Sequence, residues 1–154
     1  MRCIFVLLLG LLPGVAAQAQ AVCTRSSTTV LRKDPSSKAE KSWIVGKYMP
    51  FMILEIKSGW LKLEDLEGQK HYGRTSDFSQ KFRCVVVKTN TAETRQGPGS
   101  KFPYGDFKTL DRYTPLKRLE AQDGWVQVEN DLGLKSWVQE NKVWHPVKVQ
   151  TLSF

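Results

Sequence analysis

Apolar and polar residues alternate in short runs along most of this chain. Trp60-Leu61-Lys62-Leu63-Glu64 and Trp125-Val126-Gln127-Val128-Glu129 each follow a glycine, alternate with period two, and then reach Gly68 or Gly133. Period two over five residues predicts a half-buried strand, and the glycines predict turns. His71-Tyr72-Gly73 and Ser136-Trp137-Val138 read as the returning strands of hairpins. Pro50 and Pro115 open the preceding strands, where a missing N–H is tolerated. Gly97-Pro98-Gly99 is a loop by composition. No stretch after Ala21 carries a helical stripe, so the expected class is all-β, with a small barrel or sandwich built from short strands.

The alternating segments belong to an internal repeat. Tyr48, Pro50, Leu54, Glu55, Gly59, Trp60, Glu64, Gly68 and Lys70 recur sixty-five positions later as Tyr113, Pro115, Leu119, Glu120, Gly124, Trp125, Glu129, Gly133 and Lys135. Upstream, Arg32, Pro35, Ser37 and Lys38 match Arg95, Pro98, Ser100 and Lys101 at an offset of sixty-three. A fixed offset over this many positions is the mark of a duplicated unit. The expected organisation is a first copy over residues 22–83, a second over 84–144 and a tail over 145–154. Ser79-Gln80-Lys81-Phe82-Arg83 runs into the apolar strand Cys84–Val87 without a glycine-rich linker, which predicts that the copies pack together.

The first twenty-one residues follow another rule. Met1-Arg2, the apolar run Ile4–Leu12 and Ala19-Gln20-Ala21 read as a signal peptide cleaved before Val22, with cleavage before Gln20 nearly as good. The apolar run is too short to span a bilayer, and no later one is longer. Val22 stands where the residue before a lipidated cysteine should be small. The expectation is a soluble protein, periplasmic or secreted.

Removal of residues 1–21 takes one arginine, leaving 22 Lys+Arg against 15 Asp+Glu, a net of +7. A hydrophobic share of 41% with 25% charged residues describes a foldable chain rather than a disordered one. The positive balance fits anionic envelope partners, and it also serves solubility. Export argues against nucleic acid. Cys3 leaves with the signal, so Cys23 and Cys84 remain as an even pair in an oxidising compartment. Two buried thiols would satisfy the count, but a disulfide is the expectation, and neither cysteine has metal-ligand spacing.

Thr94-Arg95-Gln96-Gly97-Pro98-Gly99, then Gly124-Trp125-Val126-Gln127-Val128, then Trp137-Val138 resembles the bacterial SH3-like (SH3b) domain. The first copy is a weaker match: Leu31-Arg32-Lys33-Asp34-Pro35-Ser36 departs from the glycine-rich loop, and Tyr72-Gly73 replaces the last Trp-Val. The resemblance implies two tandem small SH3-like β-barrels of five bent strands each. It also implies a non-enzymatic role in binding cell-wall peptides or proteins. In such a barrel the first and last strands lie close. A Cys23–Cys84 bond would then close a loop of about sixty residues, worth roughly 4 kcal/mol in the chain-entropy account.

Catalytic signatures are sparse. His71 and His145 belong to no metal motif, and there is no G-x-S-x-G elbow. The chain is therefore expected not to be an enzyme and to need no metal or cofactor. Trp60, Trp125 and Trp137 are either core or the wall of a groove, with core the commoner fate of a large ring in a small barrel. Tyr48 and Tyr113 are expected to be partly exposed. Trp43, Phe102 and Tyr104 fall in the first loops, where binding residues concentrate. Arg32 and Arg95 either fix those loops, with Glu55/Glu120 or Glu64/Glu129 as partners, or clamp a ligand carboxylate. The resulting candidate ligand-binding set is Arg95, Tyr104, Tyr113, Trp125 and Trp137 in the second copy, with Arg32, Trp43, Tyr48 and Trp60 in the first. The expected partner is a cell-wall peptide or, alternatively, an envelope protein for which the chain is an adaptor or subunit, without membrane insertion.

Overall fold

The computed structural model describes residues 20–146. All but the last two residues of the expected signal peptide, and most of the tail, lie outside the described residues. Seven strands form a first sheet: β1 (Gln20–Thr24), β2 (Thr29–Arg32), β3 (Lys41–Val45), β4 (Pro50–Lys57), β5 (Trp60–Glu64), β6 (Lys70–Arg74) and β7 (Phe78–Ser79). Seven more form a second: β8 (Arg83–Val87), β9 (Thr91–Arg95), β10 (Tyr104–Asp111), β11 (Pro115–Gln122), β12 (Trp125–Glu129), β13 (Lys135–Gln139) and β14 (Val143–Trp144). The strand orders are β3-β2-β6-β5-β4-β1-β7 and β10-β9-β13-β12-β11-β8-β14, antiparallel throughout. Among the described residues there is no α-helix, and no helix is long and apolar enough to cross a membrane.

The all-β expectation holds, while the five-stranded closed barrels are corrected. Each sheet has seven strands and two free edges, β3 and β7 in the first and β10 and β14 in the second. The short strands β7 and β14 follow single 3-10 turns, Thr75–Asp77 and Glu140–Lys142, and pair back onto β1 and β8 instead of closing onto the opposite edge.

Two-residue hairpins set the register where alternation is clearest. Ser58 and Gly59 both have positive φ, 51° and 79°, and so do Asp123 and Gly124, at 52° and 79°. Two left-handed residues in a row make the tight turn whose twist matches paired strands. Lys57 therefore faces Trp60, and Gln122 faces Trp125. Along β5, Leu61 and Leu63 point inward to the core while Trp60, Lys62 and Glu64 stay partly accessible.

The sheets share packing. Leu31, Phe51, Leu63 and Phe78 form the first core together with Val86 of β8, and Trp144 of β14 packs against it. Val85, Val87, Leu116, Val126, Val128 and Val138 lie in the second core. Between β7 and β8 only Gln80–Phe82 intervene, and the Phe82 ring meets Tyr48 edge-on at 5.4 Å. Cys23 of β1 and Cys84 of β8 are bonded there, Cα atoms 6.1 Å apart. The expected disulfide is present. It joins the opening strands of the two sheets rather than the two ends of one barrel.

Candidate functional site

The two-residue turn after β4 brings the outward faces of β4, β5 and β6 into one groove. Its walls are Glu55 and Lys57 from β4, Ser58 from the turn, Trp60 and Lys62 from β5, Tyr72 from β6 and Pro35 from the β2–β3 loop, and its volume is about 360 Å³. The ladder explains the gathering: Glu55 pairs with Lys62, and Lys62 pairs with Tyr72. Trp60 is half-buried, and the Arg74 guanidinium lies 5.1 Å from its ring centre. Two aromatic side chains, two lysines and one carboxylate thus border one concave surface, and Arg74 lies against the Trp60 ring beside it.

The same positions in the second sheet read differently. Lys57, Ser58, Lys62 and Tyr72 correspond to Gln122, Asp123, Gln127 and Trp137, so both groove lysines are replaced by neutral side chains. Trp125 and Trp137 are only 9% and 7% exposed, which makes both core residues, whereas Trp60 keeps an accessible face.

Arg95 is already engaged. It bonds Glu93 at 3.0 Å, donates to the Phe102 carbonyl at 3.3 Å and stacks on Tyr104 at 4.0 Å. Lys108 approaches the same Tyr104 ring at 4.7 Å, and the Tyr104 hydroxyl donates to Glu93. Arg32 donates to the Ala39 carbonyl at 2.7 Å. Both arginines fix their loops, through partners other than the glutamates expected. Glu64 is held by Lys70, and Glu129 by Lys117 at 3.7 Å. Phe102 closes over the loop so tightly that a Cβ on Gly97 would lie 2.4 Å from its ring.

Tyr48, expected to be partly exposed, is only 6% exposed, because it packs on Phe82 and the disulfide. Trp43 lies in β3, not in a loop, and its ring meets Tyr113 at 5.8 Å. The Tyr113 hydroxyl donates to Glu67, which also pairs with Arg112 at 2.6 Å. The hydrogen bond from Tyr113 and then that from Arg112 hold the Glu67 carboxyl below its ordinary 4.5. Arg95 and Tyr104 therefore do meet, while Tyr113 is held instead at the junction with the first sheet.

One constellation has no signal in sequence spacing. Ser42 Oγ lies 2.8 Å from His71 Nδ1, and His71 Nε2 lies 3.1 Å from Asp65 Oδ2. Asp65 Oδ1 accepts from the backbone N–H groups of Glu67 and Gln69, which orients the carboxylate. The three residues come from β3, the β5–β6 turn and β6. The histidine is buried beside Trp43 and Phe51. Among the described residues no cluster of three or more His, Cys, Asp and Glu side chains could hold a metal.

No protein-family model matches the chain, and no curated protein does. Solved structures do. NlpC2 from Trichomonas vaginalis aligns over 88% of this chain and 52% of its own, at 11% identity and a TM-score of 0.38. An NlpC/P60 family protein from Bacillus cereus aligns over 81% and 56%, at 14% identity and 0.39. NlpC1 from Trichomonas vaginalis aligns over 97% and 54%, at 12% identity and 0.39. The chain spans about half the length of the solved structures it matches. The expectation that the chain is not an enzyme does not stand against these matches, one of which is an NlpC/P60 family protein.

Proposed function

We propose that this chain binds a peptide of the bacterial cell envelope, with a peptidoglycan stem peptide as the candidate ligand, through the groove of the first sheet. In this reading residues 22–83 and 84–144 are two SH3b-like units of an exported protein acting in the periplasm or at the cell surface. The observation that carries it is the groove itself. Trp60 and Tyr72 offer flat apolar contact, Lys57 and Lys62 suit ligand carboxylates, and Glu55 suits an amine. The second sheet adds Arg95 stacked on Tyr104 as a lesser contact face. A second weak site on the same chain would raise retention through effective concentration.

Retention on insoluble peptidoglycan at about 0.15 M salt, where long-range attraction is screened, tests the reading. Wild-type protein is expected to be retained, Trp60→Ala to lose most of that retention, and Arg95→Ala to lose less. Retention abolished by salt alone, or none at all, would leave only a basic surface.

A second reading, an adaptor for an envelope protein, is favoured by one feature. Leu132 is 75% exposed, with Phe107 and Leu134 also exposed near it on the second sheet. Capture of one stoichiometric envelope protein without retention on peptidoglycan would select it.

A further inference from the structure

A second cavity sits where the two sheets meet, and none of its residues belongs to the groove. It holds about 160 Å³ beside the Cys23–Cys84 bond, bordered by Gln80, Arg83, Arg118 and His145. This is room enough for a compact polar group.

Its charge arrangement is unusual for a sheet. Arg83 of β8 and Arg118 of β11 are direct cross-strand partners in the antiparallel ladder. Directly opposed residues place their side chains on one face, about 5 Å apart at Cβ, and like charges so placed repel. The corresponding pair in the first sheet is Gln20 and Ile53, so the fold does not require arginines there. The Arg118 side chain is only 10% exposed, and its Nη2 donates to Glu140 at 2.9 Å. Its Nε is buried and has no partner. Among the described residues Arg83 makes no ion pair, so Glu140 is the one carboxylate bonded to this arginine pair. Burial first, then the positive charges of Arg118 and Arg83, hold the His145 imidazole below its ordinary 6.5. Lys88 adds to this effect and Glu140 opposes it.

We propose that this cavity is an oxyanion site, taking either a phosphate group or a terminal carboxylate between Arg83, Arg118 and His145. A guanidinium fork matches both oxyanions, and a bound anion relieves the repulsion between the two arginines. It also favours the protonated form of His145, which would then donate a third hydrogen bond. Gln80, already bonded to the Ala21 carbonyl and the Gln20 side chain, holds the far wall.

The test is an NMR titration of the disulfide-bonded protein at constant ionic strength, with inorganic phosphate in one arm and N-acetylalanine in the other. Saturable shifts are expected at Arg83, Arg118 and His145, with the His145 titration midpoint moving up as ligand is added. Arg83→Gln, an exposed position that leaves the core untouched, is expected to weaken binding about tenfold, and Arg118→Gln more. Saturation by phosphate alone assigns a phosphate ligand, and saturation by N-acetylalanine assigns a carboxylate. Neither ligand saturating, or shifts that survive Arg83→Gln unchanged, overturns the site.

Discussion

The ring of Phe78 occupies the space that a side chain at Gly73 would need. A Cβ built on Gly73 would lie 2.5 Å from Phe78 Cε2 and 2.6 Å from its Cζ. Sixty-five residues on, the same two positions are Val138 and Val143, both buried in the second core. One sheet fills the site with nothing and a phenyl ring, the other with two isopropyl groups. The glycine of the Tyr72-Gly73 ending, where the other copy has valine, is therefore one half of a volume exchange within the core.

This exchange predicts a compensating pair. Gly73→Val alone is expected to destabilise the protein by about 1–3 kcal/mol through overpacking. Adding Phe78→Val should recover a large part of that loss, because the two residues touch and their effects are coupled. Urea denaturation of the two single variants and the double variant measures the coupling. Strictly additive losses would contradict it.

The disulfide predicts a stability loss on reduction. Cys23 and Cys84 are 61 residues apart in sequence, and a closed loop of that size stabilises by roughly 4 kcal/mol in the chain-entropy account. Paired Cys23→Ser and Cys84→Ser substitutions should lower the urea midpoint accordingly. Mass spectrometry of the unreduced protein should show the cross-linked peptide. Two freely alkylatable thiols would refute the bond.

Glu67 predicts a pH dependence of known sign. Its folded pKa is depressed, so the unfolded chain takes up its proton first as pH falls. The stability it contributes is complete above 4.5 and is lost as pH drops through the lowered folded value. Glu67→Gln removes that contribution. The stability difference between wild type and variant should shrink below pH 4.5 and stay constant above it, as read by denaturation at several pH values.

Strand β1 separates the two expected cleavage positions. Gln20 and Ala21 pair with Ile53 and Met52, and Gln80 bonds both residues. Cleavage before Val22 would remove two residues of a paired strand, whereas cleavage before Gln20 keeps the strand whole. If the signal is removed, N-terminal sequencing of the mature protein is expected to begin at Gln20.

Alternation made β5 and β12 readable from sequence because one face of each is buried and the other is not. Strands β3 and β10 were not readable for the opposite reason. They are sheet edges, and six of the eight β10 residues are exposed, so no inward-facing set repeats. Trp43 and Tyr104 consequently looked like loop residues. Tyr48 looked like a surface ring because only the packing of Phe82 and the disulfide against it makes it core. The loop-fixing role of Arg32 and Arg95 was legible as one of two alternatives, but their partners were not, since three of the contacts are to backbone carbonyls or a nearby glutamate. Asp65 and His71 meet across the β5–β6 turn, and Ser42 joins them only through the β3–β2–β6 ordering of the sheet, which no spacing in the chain encodes.

The groove around Trp60 is proposed to recognise a peptidoglycan stem peptide. The most direct measurement is an NMR titration of the protein with a soluble peptidoglycan stem peptide at about 0.15 M salt, following the indole N–H of each tryptophan. A saturable shift is expected at Trp60, with backbone changes at Lys57, Lys62 and Tyr72, and little change at the buried Trp125. Saturable shifts centred on Arg95 and Tyr104 with Trp60 unmoved, or no saturable shift anywhere, would contradict it.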